Sequence, residues 1–194
     1  MQTGSRKVAS KYRVITYGNP ALRKKATPVK VVDASIRKLA RDMLEVLYNA
    51  KGVGLAAEQI GRTEAMCVID IPAPRGEDKA GASLQLARPD IGMPIVMINP
   101  RIEATSGEQR CEEGCLSFPE LFVSIKRAAE VTASFTNLDN KNVTVRTAGL
   151  LARAVQHELD HLNGILLVDR MSPLQKIAIA GRLKRLKKQS QEDE

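Results

Sequence analysis

Gln156-His157-Glu158-Leu159-Asp160-His161 holds both histidines of this chain, and the fold expected of it is built around this hexapeptide. Leu151, Ala154, Val155, Leu159 and Leu162 recur around it at helical spacing. That pattern predicts an amphipathic helix from near Thr147 to Asn163, with Gly164 as its C-terminal stop. His157 and His161 stand one turn apart, so their imidazoles project from the same face. They are also the only histidines among 194 residues. Two imidazoles so placed can grip one divalent ion and leave Glu158 beside it as a general base. The competing account, two surface histidines on an ordinary helix, requires both to have fallen on this spacing by accident.

A catalytic site of this type needs a third protein ligand and an open position for water. The longer pattern H-E-x-x-H-x-x-G-x-x-H is followed through Gly164 and then breaks, because Leu167 stands where the third histidine would be. No glutamate follows the motif before Glu192, so the third ligand is expected upstream. Cys115, in Glu112-Glu113-Gly114-Cys115-Leu116-Ser117-Phe118-Pro119, is the best candidate, since a thiolate binds borderline ions strongly and Gly114 admits a close backbone. Cys111 competes with it, whereas Cys67 lies in a predicted buried strand and reads as a structural thiol.

Outside these motifs the chain reads as one domain. Hydrophobic residues make up 43% and charged residues 27%, and aromatics only 3%, so the core rests on aliphatic side chains. No apolar run approaches the ~18 residues of a membrane span, and the N-terminus lacks the apolar stretch of a secretory signal. Three cysteines, an odd number, argue against a disulfide framework and for a reducing compartment. The cytoplasm is therefore expected, or an organelle matrix or stroma if a transit peptide has been trimmed. Residues 1–194 are read as a single catalytic domain, with 1–11 a flexible arm and 172–194 a basic C-terminal helix and tail. The net charge of +8 concentrates there, in Lys176, Arg182, Lys184, Arg185, Lys187 and Lys188. Such a tail is either a solvated helix face or a docking site for a polyanion such as RNA or a ribosome.

Asp33 is expected to cap a first helix whose inner stripe is Ile36, Leu39, Ala40, Met43 and Leu47, ending near Lys51-Gly52. A glycine-rich turn follows, then strands over 65–71 and 94–99, with 72–94 mostly an exposed loop. Alternation over Val131-Ala133-Phe135 and Val143-Val145 predicts half-buried antiparallel strands joined by a turn at Asn140. Ser172-Pro173 opens a last helix, with Leu174, Ile177, Ala178, Gly181 and Leu186 expected to face inward. The fold class expected is α+β: antiparallel strands packed around a central metal-binding helix, with a C-terminal helix.

Taken together the motifs resemble those of the peptide deformylases. Gly52-Val53-Gly54-Leu55-Ala56-Ala57-Glu58-Gln59, Glu113-Gly114-Cys115-Leu116-Ser117 and Gln156-His157-Glu158-Leu159-Asp160-His161 occur in order, after Tyr17-Gly18-Asn19-Pro20-Ala21-Leu22-Arg23. The resemblance spans about Tyr12 to Met171. It implies removal of the N-formyl group from the formylmethionine of nascent polypeptides, with Cys115, His157 and His161 as ligands, Glu158 as base, and the Gln59 amide and Leu116 N–H as oxyanion donors. It also favours Fe²⁺ as the working ion, while the donor set alone suits Zn²⁺, Ni²⁺ or Co²⁺ as well. Gly54, by the same resemblance, pairs its backbone with an extended substrate. Val53, Leu150 and Ala154 are expected as walls of a methionine pocket, and Asp160 as a partner of Arg127. Further expectations are contact with the ribosome near its exit tunnel through the basic C-terminal helix, and no membrane partner. A general metallopeptidase and a non-catalytic metal-binding scaffold on the ribosome are the rival readings. The presence of Glu158 speaks against the scaffold.

Overall fold

The computed structural model describes residues 11–71 and 92–192. The expected arm over 1–11, apart from Lys11, and most of the expected 72–94 loop lie outside these residues, as do Asp193 and Glu194. Helix α1 (Ala34–Asn49) begins at the predicted cap, where the Asp33 side chain accepts hydrogen bonds from the N–H groups of Ser35 and Ile36. Strands β1 (Gly54–Ala56), β2 (Met66–Ile69), β3 (Ile95–Ser106), β4 (Gln109–Cys115), β5 (Phe118–Arg127), β6 (Glu130–Thr136) and β7 (Asn142–Ala148) follow. Three helices close the described chain: α2 (Gly149–Leu162), α3 (Pro173–Ala178) and α4 (Ala180–Glu192).

Five strands form one antiparallel sheet in the order β1-β2-β3-β6-β7, and β4 with β5 makes a separate two-stranded sheet. The apolar run in β2 has a direct cause. Cys67 and Ile69 pack with the inner stripe of α2, while Met66 and Val68 pack with α1. A strand covered on both faces has no polar side to show. In β6 only Val131, Ala133 and Phe135 are buried, and the alternation read from the sequence is what a strand covered on one face requires. Helix α2 thus lies across the sheet with Leu151, Ala152, Ala154, Val155, Leu159 and Leu162 in the core.

Three expectations need correction. The β4–β5 hairpin, which carries Cys115, is absent from the sequence expectations: β4 is polar and buries only Glu113, and although β5 buries alternate residues from Leu121 to Arg127, its exposed Phe122 and buried Arg127 mask that alternation. The stretch Gly52–Gln59 is not a turn throughout: it contains β1 and a 3-10 turn, Ala57–Ile60. The C-terminal helix is two helices, and Leu174 and Ile177 are 77% and 72% exposed, with Ala178 and Gly181 also exposed. The break at Ile179 resets the helical phase, so the apolar stripe of α3 does not continue into α4. Of the α4 side chains only Leu186 and Ser190 are buried.

Candidate metal centre

Helix α2 presents His157 and His161 on its pocket side, their rings 5.0 Å apart between centroids. Cys115 reaches them from the end of β4, where the hairpin register shifts between Gly114 and Cys115. The Cys115 Sγ lies 3.2 Å from His161 Nε2. One donor atom from each of Cys115, His157 and His161 falls within 4.8 Å of the others, the only such cluster among the described residues. Neither Cys111 nor Cys67 belongs to it; Cys67 is fully buried in β2, as expected of a structural thiol.

Buried charges stand behind His157, the first of them Glu113 from the same strand as Cys115. His157 Nδ1 lies 3.3 Å from Glu113 Oε2, which leaves its Nε2 for an ion. Glu113 is clamped in turn by Arg127, whose Nε and Nη2 donate at 2.6 and 2.9 Å. Arg127 Nη1 donates to Asp160 Oδ2 at 2.8 Å, the pairing expected from the sequence, and Arg170 donates to both oxygens of Asp160. Burial alone would raise the Glu113 carboxyl, but the hydrogen bonds from His157 and Arg127 hold it at about 2. Burial keeps His161 well below the usual imidazole range, hence neutral and able to ligate. His157 is instead raised, despite its burial, by Cys115 and Glu113. A divalent ion on the same donors competes with that proton.

Glu158 sits beside the ligands and is almost completely buried, and burial above all pushes its carboxyl up to about 7. Its Oε2 has no hydrogen-bond partner among the described residues. A thiolate, two imidazoles and an unpartnered buried carboxyl next to them fit a hydrolytic divalent-metal site. Gly54 has a role the sequence did not disclose. A Cβ there would fall 2.8 Å from Glu158 Cδ, so only glycine leaves room for the carboxyl. The strand that carries Gly54 is also an edge of the five-stranded sheet, open for an extended partner.

Gln59 is buried in the 3-10 turn that follows β1. Its Oε1 accepts from the Ala56 N–H at 2.8 Å, which turns Nε2 towards Cys115 Sγ at 3.6 Å and Ser117 Oγ at 3.3 Å. Leu116 follows Cys115 directly and lines the same cavity of about 520 Å³. Val53, Gly54, Leu150 and Ala154 line it too, together with His157 and Glu158. All ten residues singled out in the sequence therefore converge on one place. Sequence reasoning missed Glu113, Ser117 and Arg170 as supports. Glu113 carried a signal, being an acid two positions before the thiolate, whereas Arg170 becomes recognisable only when the chain folds back onto α2.

The sequence pattern of the polypeptide deformylase family matches residues 11–177. A peptide deformylase of Nitrosococcus oceani is 44% identical over 163 residues, covering 84% of this chain and 88% of the relative. One from Rhizobium meliloti is 41% identical, covering 84% and 86%. Crystal structures agree: a peptide deformylase from Legionella pneumophila superposes with a TM-score of 0.75 at 38% identity over 90% of this chain and 94% of that one. Another, from Thermus thermophilus, gives 0.77 at 33% identity over 92% and 99%. With a family pattern matched over residues 11–177, relatives 44% and 41% identical and crystal structures that superpose along most of its length, this chain belongs to the polypeptide deformylase family.

Proposed function

We propose that Cys115, His157 and His161 hold one divalent ion, Fe²⁺ in the working enzyme, and that Glu158 is the base in removal of the formyl group from nascent formylmethionyl peptides. The observation that carries this is the set of three donor atoms within 4.8 Å, beside a buried carboxyl, on the wall of a cavity. An ion held there would supply Lewis acidity, making water a nucleophile near neutral pH. Glu158 accepts the proton as the formyl carbon is attacked and returns it to the leaving amine. Negative charge that develops on the formyl oxygen meets the Gln59 Nε2 donor, fixed by its bond to Ala56, and the Leu116 N–H. The open edge at Gly54 takes the peptide as an added strand, and Val53, Leu150 and Ala154 enclose the methionine side chain.

The whole of 1–194 is read as one catalytic domain. No helix among the described residues is long and apolar enough to cross a membrane. We place the enzyme in the cytoplasm, where new chains emerge. Lys184, Arg185, Lys187 and Lys188 are exposed on α4 and favour a polyanion such as the ribosome surface near the exit tunnel.

The decisive experiment is formate release from formyl-Met-Ala-Ser by anaerobically purified, Fe²⁺-loaded protein, beside Glu158→Ala. Rapid release that vanishes in the variant is expected. Release that persists in Glu158→Ala removes the glutamate from its role, and cleavage of unformylated peptides instead would favour a general metallopeptidase. Gln59→Leu is expected to lose about 3 kcal/mol of barrier lowering while keeping its metal. Loss of metal in that variant would contradict the donor assignment.

A further inference from the structure

His161 is less completely supported than His157. Its Nε2 faces Cys115 Sγ, so Nδ1 points away from the ligand cluster, and that nitrogen is buried with no hydrogen-bond partner. Metal-bound imidazoles almost always donate this second N–H to an acceptor, which fixes the ring and strengthens the ligand. His157 has Glu113 for the purpose. Buried polar groups without partners are rare and call for an explanation.

Few groups can meet the need. The other buried, unpartnered side-chain atoms among the described residues belong to Glu58, Thr147, Arg153 and Glu158. Arg153 Nε is a donor and cannot accept. Thr147 lies before the start of α2 and His161 near its end, about 20 Å away at 1.5 Å per residue. Glu158 is turned to Gly54 and the cavity. Glu58 remains. It is 1% exposed, and both of its carboxyl oxygens are unpartnered. Its turn, Ala57–Ile60, packs on α2, and the next residue, Gln59, places Nε2 3.6 Å from the thiolate that touches His161. An orphaned donor on α2 and an orphaned double acceptor on the turn that packs against α2 are thus both buried.

We infer that Glu58 is the outer partner of His161, its carboxyl taking the His161 Nδ1–H across one buried water, where Glu113 meets His157 without one. This rests on Cys115, His157 and His161 being the metal ligands. Glu58 is a positioning residue: it orients a ligand and touches neither ion nor substrate. Each histidine is then braced by a glutamate that the chain places next to another working group, Glu113 beside Cys115 and Glu58 beside Gln59.

The test is competitive titration of Zn²⁺ into apo-protein against a chromophoric chelator, for wild type, Glu58→Met, Glu58→Ala, Glu58→Gln and Cys115→Ser, with the unfolding midpoint of each apo form. Loss of an outer-shell partner is expected to weaken Zn²⁺ about 10–100-fold in Glu58→Met and Glu58→Ala. Glu58→Gln, whose amide oxygen still accepts, recovers most of it. The apo Glu58→Met midpoint is expected to stay close to wild type, because methionine fills the volume of the carboxyl it replaces and removes a costly buried polar group along with its water-mediated bond. That separates positioning from a packing role. Wild-type affinity within twofold in both Glu58→Met and Glu58→Ala overturns the inference while leaving the metal site intact. Wild-type affinity in Cys115→Ser overturns the ligand assignment and the inference with it.

Discussion

The back of α2 and the C-terminal pair α3–α4 are both dense in charge, but they use it in opposite ways. Behind α2, the Arg127, Glu113 and Asp160 side chains are 4%, 6% and 11% exposed and every charge is met by hydrogen-bonded partners. On α4 the pairing of Lys188 with Glu192, at 3.6 Å, is between side chains 78% and 63% exposed. In the first region removal of one member strands the others in a medium that solvates them poorly. In the second, water takes over at once. The same residue types therefore hold His157 in one place and coat a helix in the other.

The sharpest way to break this contrast is Arg127→Met. It leaves Glu113 and Asp160 buried without their common cation, at an expected cost of about 3–5 kcal/mol in chemical denaturation. A loss below about 1 kcal/mol, the range of exposed pairs, would mean that the buried network is no different in kind from the surface. Asp160→Asn is milder, since the amide keeps the size and an acceptor but gives up the charge between Arg127 and Arg170. About 1.5–3 kcal/mol is expected from the loss of hydrogen bonds to charged groups, read from the same denaturation curves. A cost no greater than that of removing an exposed charge would show that Asp160 does not hold α2 to β5.

That contrast also marks the limit of what the chain declared in advance. The metal helix, the cap at Asp33 and the strands β2, β6 and β7 were legible because period and capping are local. Gln59, Cys115 and the histidines were legible because the chemistry restricts residue type and the motifs are contiguous. The pairing of Arg127 with Asp160 could be suspected, but its burial could not, since sequence does not say which charges water will reach. The hairpin β4–β5 was hidden by the polarity of β4 and, in β5, by an exposed Phe122 and a buried Arg127 that invert the usual pattern. The failed stripe on α3 has a similar cause: Leu174 and Ile177 have the spacing of a core face, yet the break at Ile179 leaves them in solvent.

Among the described residues, exposed charge holds α4 only at Arg182, which donates to the Pro119 carbonyl at 3.1 Å and pairs with Glu120; the helix's buried contacts are with the N-terminal segment and β5. Leu186 packs in the cluster with Leu22 and Phe118, and Ser190 Oγ donates to the Thr16 carbonyl at 3.2 Å. Gly18, at φ 122°, lies so close that a Cβ would stand 2.8 Å from Lys187 Cα. Gly18→Ala is expected to cost about 1–3 kcal/mol through this backbone conformation and to speed hydrogen exchange in α4 ahead of α2. Unchanged exchange in α4 would show that the helix is held elsewhere.

The smallest effect sharpens the contrast from the other side. Lys188→Gln removes one end of an exposed i,i+4 pair and nothing else that the fold uses. Attraction between two solvated charges is offset by the entropy of holding two long side chains and is screened by salt. A stability change within about 0.5 kcal/mol is expected, and raising the ionic strength should erase what difference there is. A loss above about 1 kcal/mol, insensitive to salt, would place Lys188 among structural charges like Arg127. If the expected result is found, the basic face of α4 is not maintained for the fold. Its charges are then free to be used on a polyanion, and binding to one should weaken steeply with salt, as the stability does not.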